Sequence, residues 1–276
     1  MITEQQLAGV AQRLTGVPGV VGVTLGGSRA RRTHEPTSDV DLGLYYRPPL
    51  DVGALRQLAQ EFAGPLADVS SPGDWGPWVD GGGWLNIADT PVDWIYRNID
   101  RVRASCTDAL AGRFELHFQV GHPFGVPNVA YAAELAVGII LSDPSAQLSD
   151  LRETIGNYPP LLRNAMVERL WEATFLLGGA RKSLLRQDTA YVAGCLFRVL
   201  LLCASALHGH AGRWLTNEKG AVRSAGRLPN APTNFEARAN SIVGFLGTTD
   251  VELEAAITTA EQLLADVTRV CSVSGR

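Results

Sequence analysis

One stretch limits the fold of this 276-residue chain more than any other. Val20-Val21-Gly22-Val23-Thr24-Leu25 is a β-branched run that ends on Gly26-Gly27-Ser28. Asp39, eleven residues after Ser28, then opens Asp39-Val40-Asp41-Leu42-Gly43-Leu44-Tyr45-Tyr46. The first run reads as a buried strand leaving through a glycine turn. In the second, Val40, Leu42, Leu44 and Tyr46 share one face of a strand, so Asp39 and Asp41 share the other. The pair therefore demands a sheet with one face on a core and acids on the opposite face.

The flanking sequence fills in that sheet. Gln5–Leu14 reads as a short helix, ended by Val17-Pro18-Gly19. Asp51–Phe62 is amphipathic, with Leu55, Leu58, Ala59 and Phe62 on one side. Residues 70–90 are rich in Gly, Pro and Trp and suggest a loop or a hairpin around Gly81-Gly82-Gly83. Pro91 then opens a third strand, Val92-Asp93-Trp94-Ile95-Tyr96. After about residue 125 helical periodicity dominates, over Tyr131–Leu141, Pro160–Arg186, Thr189–Leu207 and Val251–Val270. The expected architecture is α+β: a mixed β-sheet with flanking helices over residues 1–120, followed by an all-α helical bundle over 121–276.

Composition restricts the partners. Lys and Arg number 24 against 28 Asp and Glu, for a net charge of -4, so no basic track for a polynucleotide is present. The chain is 46% hydrophobic and long enough to bury a core without disulfides. The opening MITEQQLAGVAQRL lacks the basic end and apolar run of a signal peptide. Val192–Leu207 contains Arg198 and is short for a membrane span, so it reads as a buried helix. Cys106, Cys195, Cys203 and Cys271 show no CxxC spacing and suit small buried thiols. A soluble, cytoplasmic protein without a membrane partner is expected.

Two carboxylates at i and i+2 on a strand lie about 6.6–7 Å apart along it, so their side chains can converge on one divalent cation. Left unpaired they would repel, and Mg²⁺ removes that repulsion. Glycines 26 and 27 let backbone N–H groups approach a ligand, and with the Ser28 hydroxyl they make an anion site suited to a triphosphate. Arg29, with Arg31 and Arg32, either contacts phosphates or forms a solvated face. The five histidines, His34 among them, have no metal-ligand spacing, and neither a G-x-S-x-G elbow nor a G-x-x-x-x-G-K-[ST] loop is present. Trp75, Trp78 and Trp84 form either a stacking wall for a substrate or part of the core.

In its Gly27-Ser28 turn and its Asp39-Val40-Asp41-Leu42 strand the sequence resembles the DNA polymerase β-like nucleotidyltransferase superfamily, in particular the small bacterial branch of aminoglycoside and lincosamide nucleotidyltransferases. The superfamily's later acid maps onto Asp93, with Asp89 and Asp100 as weaker contenders; the resemblance spans roughly residues 20–97. It implies Mg²⁺-dependent transfer of a nucleoside monophosphate, AMP from ATP or its equivalent from another NTP, to a hydroxyl of a small molecule such as an antibiotic, with release of pyrophosphate. Asp39 and Asp41 would hold Mg²⁺, and Asp93 would help hold a second ion and favour the acceptor alkoxide. Gly27, Ser28 and Arg29 would bind the triphosphate.

The rest of the chain resembles the helical extension of bacterial nucleotidyltransferase-like proteins, through Gly121–Gly125, Tyr131–Leu135, Tyr158-Pro159 and Asn217–Ala221. Glu134 is either an acceptor-side general base or an acid favourable to a helix start. Lys219 either reaches a phosphate or is solvated. Two other functions stay open: a protein-AMPylating, antitoxin-like enzyme, and a non-catalytic nucleotide-binding regulatory protein.

Overall fold

A computed structural model describes residues 2–31 and 38–273. Within them the chain forms two compact units, Met1–Ala109 with Glu115–Asn157, and Leu110–Phe114 with Tyr158–Arg276.

The first unit is built on α1 (Glu4–Leu14), β1 (Val20–Leu25), the single turn α2 (Gly27–Ala30), β2 (Val40–Tyr46), α3 (Val52–Ala63), β3 (Gly82–Ile87), β4 (Thr90–Asn98) and α4 (Ile99–Leu110). It continues with the short β5 (Leu116–His117) and β6 (Val126–Pro127), then α5 (Ala130–Val137), β7 (Ile139–Ser142) and α6 (Gln147–Ile155). A capping box between Thr3 and Gln6 starts α1, and the Asp51 carboxylate caps α3 by accepting from the Ala54 N–H at 2.9 Å. The main sheet runs β3-β4-β2-β1-β7, with β2 and β4 parallel and the other pairs antiparallel. Its core face joins Val40, Leu42 and Leu44, Leu85 and Ile87, and Val92, Trp94 and Tyr96 to Leu7, Leu14, Leu55 and Leu58 of α1 and α3. The period-2 reading of β2 and β4 follows from this burial.

Far from the acids, the opposite face of the sheet is also covered. Tyr45 is buried there and hydrogen-bonds Thr24, and a Cβ at Gly22 would meet Leu148 Cδ1 of α6 at 2.6 Å.

The second unit is helical: α7 (Pro160–Glu168), α8 (Leu170–Ser183), α9 (Thr189–His210), α10 (Ala221–Gly226), α11 (Phe235–Gly244) and α12 (Asp250–Val273). Asp188 caps α9 by accepting from the Tyr191 N–H at 3.1 Å. By length and composition alone α9 could cross a membrane, but most of its apolar stretch is buried inside this unit, as befits a core helix. Ion pairs fasten the bundle, among them Arg181 with Glu261 at 2.6 Å and Arg238 with Asp266 at 2.8 Å.

Several expectations need correction. The hairpin turns at Ala88-Asp89, both with positive φ, while Gly82 and Gly83 lie inside β3. There a Cβ at Gly82 would stand 1.8 Å from the Trp94 carbonyl oxygen, so the glycine serves close strand approach. The helix expected over Tyr131–Leu141 stops at Val137, and Ile139–Ser142 becomes the edge strand β7 against β1. Pro160–Arg186 divides into α7 and α8. The helices α4, α6, α10 and α11 were not expected. The boundary expected between 120 and 121 falls inside the first unit, which runs on to Asn157.

Candidate active site

The Gly26 N–H donates to the Asp41 carbonyl at 2.8 Å, extending the β1–β2 register, in which Leu25 faces Leu42, by one step. Gly27 follows with φ +59, and a Cβ there would lie 1.7 Å from Asp41 Oδ2. Only a residue without a side chain lets the turn come this close to the carboxylate. Ser28, half-exposed, is the second residue of the turn α2.

On the other side of Asp41 stands Asp93. In the parallel β2–β4 pair, Asp41 is the register partner of Asp93, while the neighbours Val40, Leu42, Val92 and Trp94 are all fully buried on the core face. Next along the sheet, Trp84 of β3 is the antiparallel partner of Asp93. Directly opposed residues on neighbouring strands share a face. Glycine turn, Asp41, Asp93 and Trp84 therefore form a row across four strands. Asp39, exposed, lies two residues before Asp41 at the mouth of β2.

The electrostatics mark Asp41 as under-compensated. Burial, then the negative charges of Asp39 and Glu134, raise its carboxyl above the ordinary carboxylate range, and Arg31 and Arg97 offset only part of this. Among the described residues no three His, Cys, Asp or Glu side chains are already closed around an ion position. The donor set nonetheless fits Mg²⁺, because Asp39, Asp41 and Asp93 offer hard oxygen ligands from one face and carry surplus negative charge.

Arg97 was not anticipated. It follows Asp93 at i+4 on β4, so the period-2 rule already placed it on the acidic face. It is 6% exposed, donates from Nη2 to Glu134 Oε1 at 2.8 Å and from Nε to Oε2, and lies 5.1 Å from the Tyr131 ring centroid. Glu134 is thus held by both oxygens on α5. Arg29 donates to the carbonyl oxygens of Ser38 at 3.0 Å and Asp39 at 3.3 Å, bracing the entry to β2. Lys219 belongs to the second unit, exposed in the turn before α10, where its N–H donates to Asn217 Oδ1 at 2.9 Å. Asp89 is in the β3–β4 turn, and Asp100 opens α4, 3.8 Å from Arg47. Arg32 and His34 lie outside the described residues.

Residues 5–73 match the family model described as "Nucleotidyltransferase domain". The matched segment runs from α1 through the glycine turn, Asp39, Asp41 and α3, about a quarter of the chain. It identifies a transferase domain whose general reaction is transfer of a nucleoside monophosphate. Comparison with curated proteins found no match. Among solved structures, the chain is similar to a nucleotidyltransferase-like protein from Exiguobacterium sibiricum 255-15, at 12% identity and a TM-score of 0.43, over 97% of this chain and 77% of that one.

Proposed function

We propose that this chain is a Mg²⁺-dependent nucleotidyltransferase that moves AMP from ATP to a hydroxyl of a small molecule and releases pyrophosphate. The observation that carries the reading is the register of Asp41 against Asp93, beside a turn that only glycine can form.

In this reading the Gly27 and Ser28 backbone N–H groups and the Ser28 hydroxyl take the outer phosphates of the triphosphate. Arg29 acts by fixing the entry to β2, and Arg31 adds positive charge near Asp41. Asp39, Asp41 and Asp93 would hold up to two Mg²⁺ ions, which when bound polarise the α-phosphate and neutralise charge developing on it. The Asp93 carboxylate takes the acceptor proton as the new O–P bond forms and the bond from the α-phosphorus to the pyrophosphate oxygen breaks. Both oxygens of Glu134 accept from the Arg97 guanidinium, so Glu134 serves as the brace of Arg97. The four thiols, none in a disulfide, suit a reducing, cytoplasmic setting.

Calorimetry with ATP and Mg²⁺, run beside a pyrophosphate assay and a mass-spectrometric search for nucleotide adducts on candidate acceptors, tests the proposal. Asp39→Asn with Asp41→Asn is expected to abolish Mg²⁺-dependent binding and turnover. Unchanged binding and turnover in that double variant would overturn the assignment, and binding without any turnover in the parent chain would favour a regulatory nucleotide binder.

A further inference from the structure

The row across the sheet ends on an exposed aromatic surface that the transfer chemistry above does not use. Trp84 is 71% exposed although it sits inside a strand, beside Asp93 and on the face away from the core. Trp75 stacks on it, with ring centroids 4.4 Å apart and an interplanar angle of 13°. Trp75 is half-buried, so the pair presents the Trp84 ring as its exposed apolar surface, and exposed apolar surface beside a polar site marks a binding site.

The segment carrying Trp75 contains no helix or strand, yet it is firmly held. Gln119, 2% exposed, accepts from the N–H groups of Trp78 at 2.9 Å and Val79 at 3.0 Å, and donates to the Trp75 carbonyl at 2.7 Å. A Cβ at Gly76 would collide with that same amide, at 2.8 Å. Asp74 accepts from the Ser71 N–H at 2.7 Å, the Gly73 N–H donates to the Asp80 carbonyl at 2.6 Å, and the Tyr131 hydroxyl donates to the Trp78 carbonyl. An aromatic face fixed before the ligand arrives loses little entropy on binding.

Its place in the row says what binds. Neighbouring strands are about 4.8 Å apart, so Trp84 is one strand from Asp93, roughly 10 Å from Asp41 and roughly 14 Å from the glycine turn. In phosphoryl transfer the attacking and leaving oxygens lie in line on opposite sides of phosphorus. With the pyrophosphate on the glycine turn, the attacking hydroxyl enters from the Asp93 end, where Trp84 stands.

Resting on the nucleotidyltransferase reading, we propose that the Trp75–Trp84 pair is the acceptor platform, and that the acceptor is a hydroxyl-bearing compound with a flat ring face. The ring lies on the exposed indole surface and delivers its hydroxyl to Asp93. A flexible polycationic sugar has no planar aromatic ring to place there and is not the preferred acceptor class.

The test uses the full chain with two flat probes, 7-hydroxycoumarin and 4-nitrophenyl β-glucoside, and one probe without a flat ring, kanamycin. Probe binding is measured with Mg²⁺ and a non-hydrolysable ATP analogue present, and the affinity for the analogue is measured separately. The parent chain should bind at least one flat probe and prefer it to kanamycin. Trp84→Ala should weaken that flat probe by about tenfold or more, Trp84→Phe should restore most of the loss, and analogue affinity should stay within about twofold. Equal loss of analogue and probe would place the nucleobase on the indoles and overturn the proposal. So would binding of no flat probe, or flat-probe binding indifferent to Trp84. If the parent chain binds no analogue, or binds it equally well after Asp41→Asn, the nucleotidyltransferase reading itself fails, a result separate from any of these.

Discussion

The Cβ that any other residue would carry at position 27 lies 1.7 Å from Oδ2 of Asp41. Turn and acid are therefore one feature: the glycine exists at the distance the carboxylate sets. Gly27→Ala must both move Asp41 and hold alanine at φ +59, which by itself costs about 1–2 kcal/mol. We expect a lowered melting temperature and lost nucleotide binding by calorimetry. At Gly26 the nearest contact of an added Cβ is 3.7 Å, so Gly26→Ala should change melting temperature far less. Equal effects at both positions would dissociate Gly27 from the acid.

Asp41 predicts a conflict between stability and function. Its carboxyl, raised by burial and then by its acidic neighbours, binds a proton more tightly in the fold than in the unfolded chain. The folded state therefore holds more protons between the unfolded value of 3.8 and the raised folded value, and stability falls as pH rises through that window. Asp41→Asn should raise the metal-free melting temperature at pH 7, the gain disappearing as pH drops toward 3.8. The same variant should lose turnover by about a thousandfold, several kcal/mol of lost charge stabilisation at the α-phosphate. Melting curves from acid to neutral pH, paired with pyrophosphate release, read both effects.

Arg97 and Glu134 should behave as a coupled pair. Arg97→Met leaves a partly buried carboxylate without its guanidinium and should destabilise by about 3–5 kcal/mol, and adding Glu134→Leu should recover most of the loss. Glu134→Gln, which keeps the shape, should lower the unfolding free energy and retain kcat. Loss of kcat at an unchanged melting temperature would instead make Glu134 the base. Chemical denaturation of the three variants with steady-state rates separates the outcomes.

The second unit should weaken in mild acid. His208 is buried, with Nδ1 2.8 Å from the Ala204 carbonyl and Nε2 2.9 Å from Ser224 Oγ, and burial holds its pKa below 6.5. His210 is lowered likewise, by burial and then by Arg163. With both folded values depressed, the unfolded chain binds more protons below pH 6.5, so stability drops as pH falls from there. A melting temperature that declines between pH 7 and 5, with a shallower slope in His208→Asn, is the expected result. Equal slopes in variant and parent would remove His208 as the cause.

The sequence alone determined the parts of this protein that repeat locally. Period 2 in Val40–Tyr46 and Val92–Tyr96 assigned both strands, their core faces and the outward acids, because side-chain direction in a strand depends only on position parity. The same rule contained Arg97, had it been extended two residues past Ile95. Local pattern failed where partners at long range decide. Ile139–Ser142 is as apolar as the helix before it, and becomes a strand only because the edge of β1 offers it hydrogen bonds. Trp75, Trp78, Trp84 and Trp94 look alike in sequence, yet Trp94 is fully buried, Trp78 stacks on His117, and Trp84 is exposed beside Asp93. Which acid stands next to Asp41 is likewise a property of strand order. Parity gave Asp93 a face, and only the parallel pairing of β2 with β4 gave it a neighbour, since register is set by packing across the whole sheet and by no residue in either strand alone.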